Sequence, residues 1–200
     1  MFVIIGTGRS GTKWCADTLT EKGVPTGHES IFTPGGRKRI DALKGDSSWL
    51  ALPWLENGAD IGTGPVIHVV RDPRLCIRSM LRIGKFRDDY DTPWSKFARK
   101  YCSAAYRPRD PFLRACLFWV AWNARCQTVA RETLRIEELT AKSLLQAVGY
   151  RGNKNRHTIE RTRNHHQTSR YAYPELGWAD LPDDVRSLAH AFGYQETDRV

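Results

Sequence analysis

The sequence has no C-x-x-C pair, and its five cysteines (Cys15, Cys76, Cys102, Cys116 and Cys126) are an odd number. Neither a disulfide framework nor a cysteine-based zinc site is suggested. Thiols used this way are expected to be reduced and buried, as in a cytoplasmic protein. No apolar run approaches the ~20 residues needed to cross a bilayer. No basic stretch followed by a long apolar segment opens the chain. The expectation is a soluble, unsecreted protein without a membrane partner. No internal repeat is visible. Acidic residues are also scarce relative to basic ones: 22 Asp and Glu against 31 Lys and Arg leave a net charge of +9. That excess suits anionic partners such as nucleotides, sulfated or acidic substrates, or nucleic acid, and it equally suits a solvated basic surface.

What is present fits one globular domain, since 200 residues with 40% apolar content can bury a real core. Phe2 to Ile5 reads as a buried strand ending at Gly6. Residues 12–22 suit a helix with Cys15, Ala16 and Leu19 as its apolar stripe, and Gly23 stops it. "VPTGHE" suits a short second strand. Residues 30–62 read as loops with one short helix. "PVIHVV" (residues 65–70) is a clear strand, and Asp72-Pro73 then opens a helix, with Asp as the cap and Pro in the first turn. Residues 85–112 carry mixed charge and the aromatics Tyr90, Trp94, Tyr101 and Tyr106. Leu113 to Arg131 is a strong helix with Leu113, Cys116, Leu117, Val120 and Ala124 on one face. "TLRIEEL" suits a strand followed by a helix over 140–148, and Pro182-Asp183 opens a last short helix. Strands alternating with helices imply a mainly parallel sheet covered on both faces.

The chemistry is concentrated in "IIGTGRSGTKW". A strand runs into Gly6, Gly8 and Gly11, and a helix follows. Backbone N–H groups and the helix dipole then converge on one spot, where an anion is expected. A plain tight turn has the same glycine pattern. The spacing matches the first part of G-x-x-x-x-G-K-[ST] only. Thr12 stands where a triphosphatase has its lysine, and Lys13 where it has the hydroxyl that binds magnesium.

"GTGRSGTKW" resembles the first motif of sulfotransferases that use 3′-phosphoadenosine 5′-phosphosulfate (PAPS), which reads G-x-G-R-S-G-T-T or P-K-S-G-T-T-W. Lys13 replaces the second Thr. The family's second motif, a strand ending in Arg with Ser eight residues later, is similar to "VIHVVRDPRLCIRSML" with Arg71 and Ser79. "LRIEEL", "GWADLP" and "GHE" resemble further family stretches in the right order. The resemblance implies an α/β, three-layer, P-loop NTPase-like domain with a central, mainly parallel sheet flanked by helices. It implies that Gly8, Arg9, Ser10, Gly11 and Thr12 hold the 5′-phosphosulfate. Arg9 stands in for the loop lysine of other members and contacts the bridging oxygen. Lys13 pairs with the 5′-phosphate or points to solvent. Trp14 stacks on adenine or packs as an ordinary Trp. Arg71 and Ser79 bind the 3′-phosphate.

Such an enzyme needs a general base for the acceptor, and no metal is required. Glu29 is the first choice and His28 the second, because "GHES" ends a strand on the ligand edge of a parallel sheet. His157, His165 and His166 have no carboxylates at metal-ligand spacing and read as surface residues. The basic segment 151–170 either closes over the cofactor or is a solvated loop. Segments 30–62 and 85–112 are expected to shape a pocket for a small-molecule or carbohydrate acceptor. Two other readings compete. One is a P-loop kinase with Asp72 as the magnesium carboxylate, and the other is a basic nucleic-acid-binding protein. The latter ranks last, because the aromatics are not interleaved with basic residues in any RNA-binding motif.

Overall fold

The computed structural model describes residues 1–150 and 170–198. β1 (Phe2–Ile5) is four apolar residues, all buried. It feeds α1 (Thr12–Glu21) and then β2 (Thr26–His28). The next segment, expected to be loops with one short helix, holds more. A two-stranded hairpin pairs β3 (Phe32–Thr33) with β4 (Gly36–Arg37). β5 (Gly45–Ser47) follows, then a 3-10 turn at Trp49–Ala51 and α2 (Leu52–Glu56). β5 has the sequence Gly-Asp-Ser and no β-branched residue. It is a strand because of what it lies between: it pairs in parallel with both β1 and β2.

β6 (Val66–Val70) leads into α3 (Pro73–Arg82), whose first turn is capped by the Asp72 carboxylate accepting from the Arg74 amide. α4 (Pro93–Tyr101) lies in the segment noted for its mixed charge and aromatics. Its start is fixed by a capping box between Thr92 and Ser95. α5 (Pro111–Val129), β7 (Glu132–Arg135), α6 (Ala141–Ala147) and α7 (Asp183–Ala191) complete the described chain.

The main sheet has the order β2-β5-β1-β6-β7, and every pairing is parallel. Alternation along β1 sends Val3 and Ile5 to one face and Phe2 and Ile4 to the other. The first face is covered by apolar residues of α2, α3, α4, α5 and α7, with Trp119, Trp122 and Phe118 at the centre. The second is covered by Cys15 and Leu19 of α1 and Leu144 of α6. The protein is thus an α/β domain with helices on both faces of a parallel sheet.

α5 buries a different face from the one its spacing suggests. Ala115, Phe118, Trp119, Trp122 and Cys126 point inward with Cys116, whereas Leu113 is 41% exposed and Ala124 is exposed. This helix is apolar around most of its circumference, so periodicity does not choose a face. The large rings bury more area than Leu or Val, and they decide the rotation. All five cysteines are buried and unpaired, as expected.

The direction in which successive strands are added across the sheet reverses between β1 and β6. From β1 the chain crosses through α1 to β2 on one side, and from β6 it crosses through α3, α4 and α5 to β7 on the other. The carboxyl ends of β1 and β6 therefore flank a topological switch point, the position where open α/β sheets bind ligands.

Candidate functional site

The loop after β1 starts where there is no room for a side chain. A Cβ at Gly6 would lie 2.3 Å from the Val69 carbonyl oxygen of the neighbouring strand. The Ser10 amide donates to the Thr7 carbonyl at 3.2 Å, closing a turn. Arg9 (φ 79°) and Gly11 (φ 102°) take left-handed conformations. Among the described residues no side chain caps the start of α1, as for α2 and α7, whereas α3, α4, α5 and α6 each begin under a side-chain cap. Free amides at a helix start carry positive partial charge. Ser10 is fully buried, and among the described residues its Oγ has no hydrogen-bond partner. Thr12 is buried, and its carbonyl accepts from Ser47 Oγ at 2.7 Å.

The second motif meets this loop. Arg71 follows β6, and its Nη1 donates to the Arg9 carbonyl at 3.2 Å. Arg9 Nε donates to Ser79 Oγ at 2.8 Å. Arg71 and Ser79 thus both reach Arg9. Cys76 and Ser79, three apart on α3, share one face. Cys76 Sγ lies 3.3 Å from Thr7 Oγ1 and donates to the Gly8 carbonyl at 3.6 Å. That face of α3 is the one laid along the loop. Burial holds the Arg9 guanidinium below its ordinary pKa, and the nearby charge of Arg71 pushes it the same way, against Cys76 and Tyr90. In general, two like charges ~6 Å apart repel by ~3 kcal/mol at an effective dielectric near 20. An anion between them converts that repulsion into attraction.

Asp72 does not neutralise Arg71. Its carboxylate is 3% exposed, accepts from the Arg74 amide at 2.8 Å and is held by the Arg74 guanidinium at 2.6 to 3.2 Å. Its amide donates to Glu137 Oε1 at 3.0 Å, which gives the "LRIEEL" stretch its structural role.

His28 and Glu29 close the site on the β2 side, on the same carboxyl edge. Glu29 has φ 53°, and its Oε2 accepts from Trp94 Nε1 at 2.6 Å. His28 Nδ1 lies 3.0 Å from the Ser47 carbonyl. A carbonyl only accepts, so Nδ1 carries the hydrogen, and in the neutral ring Nε2 is bare. That Nε2 is 3.9 Å from Glu29 Oε1.

Lys85 was missed in the sequence. It follows Gly84, which ends α3, and is 4% exposed. Its ammonium lies 4.0 Å from the Trp49 ring centroid, and a Cβ on Gly8 would come within 2.7 Å of it. Burial lowers its pKa to about 8, with Glu29 the largest opposing influence. In "GKFRDDY" nothing distinguishes it from a surface charge.

Two expected members are not drawn into the loop. Lys13 pairs with Asp17 one turn along α1, at 2.8 and 3.0 Å. Trp14, expected off the core stripe, is partly buried against the second core cluster, because α6 beside α1 widens the covered arc. Of the aromatics expected near an acceptor, Trp94 is 43% exposed and touches Glu29. Tyr101 instead packs on Phe97, and the Tyr106 hydroxyl is buried. Apart from Arg170, the basic segment 151–170 with its three histidines lies outside the described residues. Among the described residues, no helix is long and apolar enough to cross a membrane. The chain matches no protein-family model and no curated protein.

Proposed function

We propose that this protein transfers a sulfuryl group from PAPS to a hydroxyl or amine of a small-molecule or carbohydrate acceptor, on a P-loop NTPase-like domain. The observation that carries the reading is the convergence of two motifs 70 residues apart: Arg9 bonds Ser79, and Arg71 bonds the Arg9 backbone, at the switch point of a parallel sheet. The residues suit the ligand. An uncapped helix start and the orphaned Ser10 Oγ offer donors to a 5′-phosphosulfate. Arg71 and Ser79 supply a cation and a hydroxyl for a 3′-phosphate. PAPS, when bound, supplies the sulfuryl group and a phosphate leaving group. The chain's own part is to orient that group with the loop and to take the acceptor's proton at Glu29 Oε1 or Oε2, with His28 Nε2 as the neighbouring alternative. The kinase reading loses its proposed ligand, because both Asp72 oxygens are committed to Arg74.

Calorimetric titration with the desulfated product, 3′-phosphoadenosine 5′-phosphate (PAP), against AMP tests the reading. PAP binds at least ~10-fold more tightly, since a charge-assisted contact contributes ~1.5–3 kcal/mol. Arg71→Ala erases most of that preference. Equal affinities in the wild type overturn the assignment.

A further inference from the structure

Three observations converge on Lys85. It is almost fully buried. Its ammonium faces the rings of Trp49 and Phe118, at 4.0 and 4.7 Å from their centroids, and among the described residues no hydrogen bond or ion pair ends on it. It also lies against Gly8, in the middle of the loop. An ammonium has three donors, and burying one without an acceptor is strongly unfavourable. Two aromatic faces recover part of that cost, but they do not use the donors. Ser10 Oγ, buried in the same loop, is likewise without a partner. The donor capacity of both groups is met by nothing in the described chain, and an oxyanion is the chemistry that uses it. Lys13, at the loop position where a triphosphatase carries its magnesium-binding hydroxyl, is turned away to Asp17.

We propose that Lys85 binds, through its ammonium, the oxyanion beyond the 5′-phosphate of the loop's ligand, which for PAPS is the transferred sulfuryl group. This rests on the PAPS reading above. Lys85 adds a second cation to the loop beside Arg9, from a separate part of the chain, entering past Gly8 because glycine leaves the ammonium room. Gly8 is thereby a contact residue for a cation as well as a turn residue.

The charged and titratable groups facing Lys85 are Glu29 beyond β2, Cys76 on α3, Arg9 in the loop and Cys102 at the end of α4. Glu29 and the two thiols favour the ammonium, and Arg9 opposes it. Burial outweighs them and brings the pKa to about 8. In the ligand-free protein Lys85 is therefore an ammonium below about pH 8 and increasingly neutral above it.

The test is the affinity of the wild type and Lys85→Met for PAPS and for PAP, measured by titration at pH 7 and pH 9.5. PAP lacks the sulfuryl group, so the ratio of the two affinities isolates the contact. The wild type prefers PAPS at pH 7, and Lys85→Met loses ~10-fold or more of PAPS affinity while its PAP affinity stays within about twofold. Met keeps the volume and removes a buried charge, so the thermal midpoint of Lys85→Met does not fall. The wild-type measurement does not depend on the variant folding: its preference for PAPS shrinks between pH 7 and pH 9.5. A PAPS preference that survives in Lys85→Met, or is absent from the wild type at pH 7, overturns the role of Lys85 and leaves the PAPS reading standing. Equal wild-type affinities for PAP and AMP overturn that reading and this inference together.

Discussion

Arg9 and Glu29 are the non-glycine residues with positive φ among those described, and both stand at the candidate site. A left-handed conformation costs such a residue ~1–2 kcal/mol, so its surroundings must over-determine it. Ser79 and the Thr7–Ser10 turn hold Arg9, and the Trp94 indole and the Ser47 carbonyl hold Glu29. Glu29 is thus fixed beside the loop with one oxygen bonded by Trp94 and the other facing His28. If it takes the acceptor's proton, Glu29→Gln keeps PAP affinity within about twofold and lowers turnover at least ~10-fold, because a general base acts in the transition state. Release of PAP from PAPS in water is the available readout, and His28→Ala is the control. A dead His28→Ala with an active Glu29→Gln moves the role to His28, and normal turnover in both removes it from this edge of the sheet. Glu29 was legible as a candidate from the family resemblance together with the place of "GHES" at a strand end. Its strained backbone and its bond to Trp94 were not, since 65 residues separate the two partners.

The elements follow their local signals where these are caps, glycines and unbroken apolar runs. β1, α1 and β6 stand within a residue of their expected limits, and α3 starts at the expected Pro73. Gly6 shows why the β1–α1 turn is sharp: the constraint there is space, since the Val69 carbonyl occupies the position a Cβ would take. Gly6→Ala therefore destabilises the fold by ~1–3 kcal/mol, the cost of overpacking against a fixed backbone. Gly23 ends α1 with φ 82° and has nothing within 4 Å of its would-be Cβ, so Gly23→Ala costs only the left-handed strain, ~1 kcal/mol. Denaturant melts of the two variants compare them, and a Gly6→Ala as stable as the wild type contradicts the close approach. β5 and the rotation of α5 were not legible. β5 has no strand composition and is held by ladders on both sides. Asp46 within it accepts the amides of Ser30, Ile31 and Phe32, which anchors the segment leading into the hairpin. α5 is turned by the bulk of its Trp and Phe rings against neighbours that are distant in sequence.

Across the whole molecule, the sheet and α5 are joined by a buried polar link. His68 in β6 has Nδ1 3.1 Å from Thr133 Oγ1 of β7 and Nε2 3.0 Å from Asn123 Oδ1 of α5. Burial lowers its pKa from 6.5 to about 4. The unfolded chain binds this proton below pH 6.5 and the folded chain only near pH 4. The neutral ring's contribution is therefore fully present above pH 6.5 and is lost as pH falls through about 4. From this group alone, the unfolding free energy drops by about 2 kcal/mol between pH 7 and pH 5. Urea melts at the two values check the size. The His68 imidazole resonance, still in its neutral position at pH 5, checks the assignment, and a ring that titrates near 6.5 contradicts it. Asp46 acts in the opposite sense, because burial raises its pKa.

The grouping of Arg71 with Ser79 came from a motif resemblance, whereas residue order alone settles the alternation of strands and helices and the sharp glycine turn of the first loop. These rest on short-range physics: glycine where no side chain fits, Asp before Pro at a helix start, and unbroken apolar runs in the strands. Tertiary structure decided what those pieces face. The parallel register of β1 against β6 brings Arg9 onto Ser79 and Arg71 onto the loop backbone. The end of α3 delivers Lys85 to Gly8, and Asp17 draws Lys13 away. An ammonium's burial and partners depend on residues far along the chain, so only the folded arrangement distinguishes the lysine in the loop from the lysine on the surface.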